Sequence, residues 1–533
     1  MNLCSRPRLA RCFMVKLARS RALRVHVYGL MTLCLAACGG GGGGSGALPS
    51  GVTSITKPAA PPPATASPGA SASPSHSSTP PATASPAATA TPTALPTTTA
   101  PPTSAPLNAG PAHIATYAFD ENGGQGTFAT AQQVRTYVTY AESGDGNAKA
   151  QTDCNTAPKA CQSVFYFDPN IVYENAACPD YVDGPLIAAA AENWFVHETG
   201  YADAAHRVSG AYQTTCHGAP SVSTVWSLNT AQSAVQAWYL AYLQSRGDGF
   251  DVYRMDNTSG TVVDQFYGPG GGFCNGLCYS TQEYTTNAQV VAAHAAFVTA
   301  LHHVNGSAMR IIFNGLSFDG APVANDLSIF GSSPEFIGAG CENCIVNAGA
   351  LQPANYVRLL NSMAAINVLP SGMTLVMSSA PSSIGTQAQD AARLVTTAVV
   401  WLGYAEGRTI VWPDLEDDTT NLAVWPEDQL YPSSPVQSMV AGASDLAVSP
   451  NVWRREFAVC YNGGTPIGPC ASVVNAGATA IAVSTAWLTQ KYAHQVAFSG
   501  GDVLSGGAVS LSSTAFTAGS SVVGPGQALL LVR

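Results

Sequence analysis

Residues 247–257 read GDGFDVYRMDN, placing three carboxylates and one arginine within eleven positions. On a strand, alternate side chains share a face. Phe250, Val252, Arg254 and Asp256 then point one way, and Asp251, Tyr253 and Met255 the other. A cation two residues before a carboxylate lowers its pKa and keeps it ionised. An ionised, oriented carboxylate suits a nucleophile at an acetal carbon, or a group that steadies an oxocarbenium ion. The alternative is a buried ion pair of the fold, whose net contribution is small because desolvation cancels much of the attraction.

Arg254 and Asp256 close one of eight short apolar runs. These are HIATYAFD (113–120), SVFYFD (163–168), NWFVHE (193–198), GFDVYRMD (249–256), MRIIFN (309–314), EFIGAGCE (335–342), MTLVMSS (373–379) and RTIVWPD (408–414). Helical patterns separate several of them: TAQQVRTYVTYAE, TAQSAVQAWYLAYLQSR, NAQVVAAHAAFVTALHHV, NYVRLLNSMAAIN and QAQDAARLVTTAVVWLGYAE. The second opens on Asn229-Thr230, a suitable N-cap, and repeats apolar residues at Val235, Trp238, Tyr239 and Tyr242. Strand–helix alternation predicts a parallel sheet. Eight strands over roughly 340 residues fit a (β/α)8 barrel with insertions. The other arrangement is a doubly wound open sheet, but ENGGQG after the first run is not a GxGxxG phosphate fingerprint.

Six of the eight runs end in a carboxylate: Asp120, Asp168, Glu198 (after His197), Asp256, Glu342 and Asp414; a seventh ends in Asn314. In a barrel these strand ends converge on the face that holds active sites. Singly, each acid also suits a helix cap or turn. As a set they are harder to explain so, because ordinary capping would also supply Ser and Thr.

The stretch GFDVYRMDN resembles the fourth barrel strand of retaining and related glycoside hydrolases, in which a basic residue stands two before the catalytic Asp, as in α-galactosidase-like and α-amylase-like enzymes. The DGF…DN shape is also similar to polygalactosaminidase-like and related glycosidase barrels, where a glutamate closes the sixth strand; EFIGAGCENC supplies Glu342 there. The resemblance covers roughly residues 111–450. It departs from α-amylases at IIFNGL, which carries Asn314 in place of their acid. It implies two-carboxylate glycoside hydrolysis without a cofactor: Asp256 as nucleophile or base, kept charged by Arg254, and Glu342 as general acid. Arg254, Asp120, Asp168, His197, Asn314 and Asp414 would line the sugar site, with Tyr404 and Trp412 stacking on pyranose faces. HET (197–199) lacks the second histidine of HExxH, so no zinc site is expected.

The N-terminus points to export. Residues 1–37 hold seven basic side chains and no acidic one, and VYGLMTLCLAA is too short an apolar run to span a membrane. LAAC (35–38) resembles the lipobox of bacterial lipoproteins, which implies acylation of Cys38. The alternative is an ordinary cleavage site. Gly39, where that family's inner-membrane signal would place Asp, points to the outer membrane. Residues 39–110 begin with six glycines and continue as a Pro/Ala/Thr/Ser tract with no acid and one lysine, Lys57. Such a segment buries too little apolar surface to offset its chain entropy. Where polyproline-like it would extend ~3.1 Å per residue, a tether on the order of 100–200 Å. Without residues 1–37, 15 of the 22 basic residues face 32 acids, a formal charge of −17. That argues against nucleic acid and anionic lipid surfaces and for neutral or cationic sugars.

Ten cysteines follow Cys38, an even number in an exported chain. Neighbours pair as Cys154–Cys161, Cys178–Cys216, Cys274–Cys278, Cys341–Cys344 and Cys460–Cys470, although spacing alone does not fix connectivity. Zinc at CNGLC or CENC is the other reading, with no histidine close to either. The expected organisation is a lipoprotein signal (1–38), the tether (39–110), the barrel (111–450) and a small β-sandwich (451–533), as a monomer. A non-catalytic glycan- or partner-binding lipoprotein on such a barrel remains the second class. A peptidase has neither GxSxG nor a zinc motif behind it.

Overall fold

The computed structural model describes residues 113–119, 131–143, 149–155, 161–174, 183–216, 219–246, 249–262, 281–302, 309–316, 323–347, 350–377, 387–412, 426–499 and 510–533. The expected leader with Cys38, the tether, Asp120 and Asp414 lie outside these residues.

Eight strands close into a parallel barrel: β1 (Ala115–Phe119), β2 (Tyr140–Ser143), β3 (Gln162–Phe167), β4 (Val252–Met255), β5 (Ile311–Asn314), β6 (Phe336–Glu342), β7 (Met373–Met377) and β8 (Thr409–Trp412). Each is paired with the next in sequence, and β8 returns to β1 through Ala115↔Ile410 and Thr116↔Val411. Alternation divides the side chains in two. Tyr117, Tyr140, Val164, Val252, Ile312, Leu375, Met377, Ile410 and Trp412 fill the interior. Phe165, Tyr253, Met255, Ile311, Phe313, Val376 and Val411 face outward into the larger core shared with the helices.

The helices bury stripes at helical spacing. Ser233–Arg246 turns Val235, Tyr239 and Leu243 inward. Asn287–Ala300 starts on a capping box: Gln289 N donates to Thr286 Oγ1, and Gln289 Oε1 accepts from Thr286 N at 3.0 Å.

One strand differs from expectation. The run 193–198 is not a barrel strand: it begins as a 3-10 turn, Glu192–Trp194, and continues as isolated bridges within the long connection between β3 and helix Ser233–Arg246. The second barrel strand is Tyr140–Ser143, which the pattern had continued as helix. Val134 and Val138 do share a helical face, but the helix stops at Tyr137, where Thr, Tyr and Val alternate and favour an extended chain. The same connection after β3 contributes a three-stranded antiparallel sheet of Ile171–Glu174, Ser209–Cys216 and Ala219–Ser227.

After β8 the chain enters a seven-stranded antiparallel sheet that starts at Leu430–Pro435 and ends with Gln527–Val532. Its strand Thr465–Asn475 serves two layers. Val474 joins the core of helix Gln387–Gly403, to whose Ala398 carbonyl Ser472 Oγ donates at 2.7 Å. Ala471 and Val473 face a second core with Val483, Phe516 and Val523, beneath the ribbon Ile481–Ala482/Val522–Val523. Disulfides join Cys154 to Cys161, Cys341 to Cys344 and Cys460 to Cys470, as expected. Cys178, Cys274 and Cys278 lie outside the described residues, and so do their pairings.

Phe457 of the sheet is fully buried and meets Trp401 of the barrel helix edge-on, with ring centroids 6.2 Å apart. Phe457→Ala is expected to cost about 3–5 kcal/mol and to lower one shared thermal transition. Calorimetry checks this: a split into two transitions would mean that sheet and barrel unfold independently.

Candidate active site

The site grows from the inward face of β4. Arg254 reaches past β3 to Glu142 on β2, with Nε to Oε2 at 2.6 Å and Nη2 to Oε1 at 3.0 Å. The Tyr117 hydroxyl also donates to Glu142. Glu142 is 0% exposed and Arg254 is buried with it. The guanidinium carbon lies 4.6 Å from the Tyr166 ring centre and 5.3 Å from that of Trp412, which packs on Tyr117 at 4.9 Å. Burial alone would weaken Arg254's hold on its proton, but Glu142 and then Asp256 raise its pKa further. Asp256 is the more distant partner, at 3.9 Å from Nη1. The expected pairing of Arg254 with Asp256 is present at that distance, and Glu142, which the sequence analysis did not single out, is the nearer partner.

Asp256 is held by other groups. Tyr166 donates its hydroxyl to Oδ2 at 2.8 Å, and the Asn257 amide donates to Oδ1 at 2.9 Å. Asn314 Nδ2 donates to Asp256 Oδ1 at 2.7 Å and to Glu342 Oε2 at 2.6 Å. An amide nitrogen carries two hydrogens, one for each carboxylate. The shared donor means that these two oxygens are at most about 5.3 Å apart, the two distances laid end to end.

Backbone contacts fix this bridge. Asn314 is registered against Gly340 on β6, and its carbonyl accepts from Thr258 N at 2.8 Å. A Cβ at Gly315 would fall 1.6 Å from the Thr258 carbonyl oxygen, so only glycine lets the turn after β4 lie against the end of β5. Both carboxylates are followed by an asparagine in the left-handed region, Asn257 at φ 48° and Asn343 at φ 54°. Asparagine tolerates this conformation better than most residues. Each turns the chain sharply off its strand just past the acid.

Asp168, one residue beyond β3, joins the group. Its Oδ2 accepts from Asn257 Nδ2, and its Oδ1 accepts from the amides of Asn170 at 3.0 Å and Ile171 at 3.3 Å. Burial and then the Asp256 charge push the Asp168 carboxyl well up, against the pull of these donors. Glu342 is open to solvent yet surrounded by protein, as on the wall of a cleft. That crowding, and then Asp256, raise its pKa.

Asp168, Arg254, Asp256, Asn314, Glu342 and Trp412 thus meet at one end of the barrel. Trp412 lies there as buried lining between Tyr117 and Arg254. Tyr404 is a correction. It is buried just past helix Gln387–Gly403, ahead of β8 and at the opposite end of the barrel, where its carbonyl accepts from Arg455. His197 is a second correction. It sits in the connection after β3, 2% exposed, with Nδ1 2.8 Å from Glu283 Oε1 and Nε2 3.0 Å from Glu192 Oε1. Glu192 in turn pairs with Arg207 through Nε at 2.6 Å. Glu142, Tyr117, Tyr166 and Asn257 escaped the sequence reading. The signal for Glu142 was the alternating TYVTY before it. Among the described residues, no group of three or more His, Cys, Asp or Glu could hold a metal ion.

No protein-family profile and no curated protein matches the chain. Among solved structures it is similar to the glycoside hydrolase domain of PelA from Pseudomonas aeruginosa, at 12% identity and a TM-score of 0.33, over 59% of this chain and 100% of that one. It is also similar to the α-galactosidase TtGalA from Thermus thermophilus, at 12% identity and a TM-score of 0.30, over 58% and 59% of the two chains. A third is an α-amylase from Malbranchea cinnamomea, at 13% identity and a TM-score of 0.29, over 79% and 84%. At these values the likenesses assign no residue and no activity.

Two outcomes follow from the charge pairs. Glu142→Gln leaves Arg254 buried without its counter-ion and should cost about 3–5 kcal/mol, measured by urea unfolding; a loss below 1 kcal/mol would contradict the central place given to this pair. For His197, burial lowers the pKa, but hydrogen bonds to Glu283 and Glu192 outweigh it and the net shift is upward. A raised folded-state pKa stabilises fully below the unfolded value, about 6.5, and that stability is lost as pH rises through the folded pKa. The melting temperature should therefore drop above that pH in the wild type by more than in His197→Gln.

Proposed function

We propose that the barrel is a retaining glycoside hydrolase acting on an extracellular or envelope poly- or oligosaccharide. The observation that carries this is the single Asn314 amide bonded to both Asp256 and Glu342. Retaining enzymes keep their two carboxyl groups about 5–5.5 Å apart, whereas inverting enzymes leave roughly 6.5–9.5 Å for a water.

In the first step Asp256 attacks the anomeric carbon while Glu342 gives its proton to the departing glycosidic oxygen. The carbon–oxygen bond to the leaving sugar breaks as the bond to Asp256 forms. In the second step Glu342, now ionised, takes a proton from water, and the water oxygen displaces Asp256 from the anomeric carbon. The raised pKa supports Glu342 as the proton holder, and three donors on Asp256 support it as the anion. Asp168, which Asn257 links to Asp256, and Trp412 would line the sugar site. On the sequence features at its N-terminus, the protein would be a lipoprotein acylated at Cys38, held at the outer membrane by its Pro-rich tether.

Asp256→Asn and Glu342→Gln are each expected to lower kcat/KM by about 10²–10⁴ with folding retained. The alkaline limb of the pH profile should vanish in Glu342→Gln, because that limb reports loss of the acid's proton. Proton NMR of the first-formed sugar should show the anomer of the substrate. An inverted product would remove the nucleophile role. Full glycan binding by Asp256→Asn, with no hydrolysis by the wild type, would favour the binding protein instead.

A further inference from the structure

The connection between β3 and helix Ser233–Arg246 carries an aromatic ring in the open. Tyr201 is 45% exposed, the one aromatic among the large exposed hydrophobic side chains of the described residues. Its ring lies flat on His206, with centroids 3.5 Å apart and planes within 8°. His206 Nδ1 is 2.8 Å from Asp203 Oδ1, and the same oxygen accepts from Ala205 N at 3.0 Å. One face of Tyr201 is thus backed by a braced imidazole, and the ring keeps its exposure despite that cover.

The segment is tied down on the active end of the barrel. Gly200 N donates to Gln282 Oε1 at 2.8 Å, Gln282 N donates to the His197 carbonyl at 2.8 Å, and Glu198 bridges Thr281. His197 clasps Glu283 from the same side. These ties join the connections that leave the C-terminal ends of β3 and β4, neighbours in the barrel. At the root of the first, Asn170 Nδ2 donates to the carbonyl of Asp256 itself, at 3.0 Å. A lone exposed tyrosine is ordinary. A ring propped on a braced partner, in a segment fastened to the strand ends that hold the carboxylates, is a prepared surface.

We propose that Tyr201, backed by His206 and flanked by Asp203, is a carbohydrate-binding subsite separate from the carboxylate centre, taking one pyranose unit of a polysaccharide. The apolar C–H face of a pyranose matches a flat phenol ring. The Asp203 side chain, 59% exposed, offers oxygens to hydroxyl or amino hydrogens at its edge. The inference rests on the glycoside hydrolase reading and adds that the substrate is a chain held at more than its cleavage point.

Affinity electrophoresis of the full-length protein in gels containing dextran, galactomannan or glycol chitosan tests this, because it reads binding without turnover. At least one polymer should retard the wild type. Tyr201→Ala should bind it roughly three- to tenfold more weakly, Tyr201→Trp should keep most of the retardation, and both should melt as the wild type does. Hydrolysis of short aryl glycosides should be the same in all three. A Tyr201→Ala protein that migrates as the wild type, or a wild type that no polymer retards, overturns the subsite. Binding through Tyr201 with no release of reducing ends leaves the subsite standing and removes the hydrolase reading.

Discussion

A guanidinium inside a barrel is tolerable only if its charge is met where it lies, since moving an unpaired ion out of water costs several kcal/mol or more. Glu142 meets it with both oxygens, and that one pairing organises the end of the barrel. Five strands contribute. Tyr117 from β1 bonds the carboxylate, Glu142 comes from β2, Tyr166 on β3 and Trp412 on β8 lie against the cation, and Arg254 comes from β4. The rings add attraction to the cation's face while its edge is taken by the carboxylate. Tyr166 then spends its hydroxyl on Asp256, so the group that packs the arginine also aims the acid.

The pair also decides how charge is shared among the remaining acids. With Arg254 matched by Glu142, three carboxyl groups stay within one neighbourhood: Asp168, Asp256 and Glu342. They repel one another, and burial sharpens that repulsion. Asp256 has three donors directed at its oxygens, whereas one, Asn314, is directed at Glu342. Burial, and then repulsion from Asp256, raises the carboxyls of Asp168 and Glu342. A donor-rich carboxylate beside an acid that burial makes hold its proton more tightly is the pairing that the proposed two-carboxylate chemistry uses.

Much of this was legible in the residues. Seven of the eight apolar runs became barrel strands, because parallel strands buried on both faces read as short, near-continuous apolar runs. Asp168, Asp256, Asn314 and Glu342 fell at strand ends and met there. Glu142 did not announce itself: β2 is four residues long and follows its helix after two residues, so the helical period of Val134 and Val138 ran straight into it. His197 misled for the opposite reason. Its run is apolar enough for a barrel strand, but Trp194 and Phe195 pack on the main core from outside the barrel, and Val196 joins a small core with Val208, Tyr284 and Val290, the last on helix Asn287–Ala300. Tyr404 lies in a pattern that was read correctly as helix, yet helices run back to the other end of the barrel. Only the direction of the chain tells the two ends apart.

Steric room explains why Glu342 reaches solvent while its partner strands are closed over. A Cβ at Gly340, two residues before it, would lie 2.8 Å from Met377 Cε and 3.2 Å from Asn314 Oδ1. Side chains of β5 and β7 therefore close in over β6, and the interior stays filled although β6 contributes no side chain at that level. Alternation puts Glu342 on the same face one step higher, registered beside Met377. It rises past the layer that Met377 and Asn314 have closed, keeps one hydrogen bond to Asn314, and opens to the cleft. A side chain at 340 would crowd the tip of Met377 and the amide oxygen of Asn314, so glycine on β6 leaves the room in which Asn314 bridges the two carboxylates.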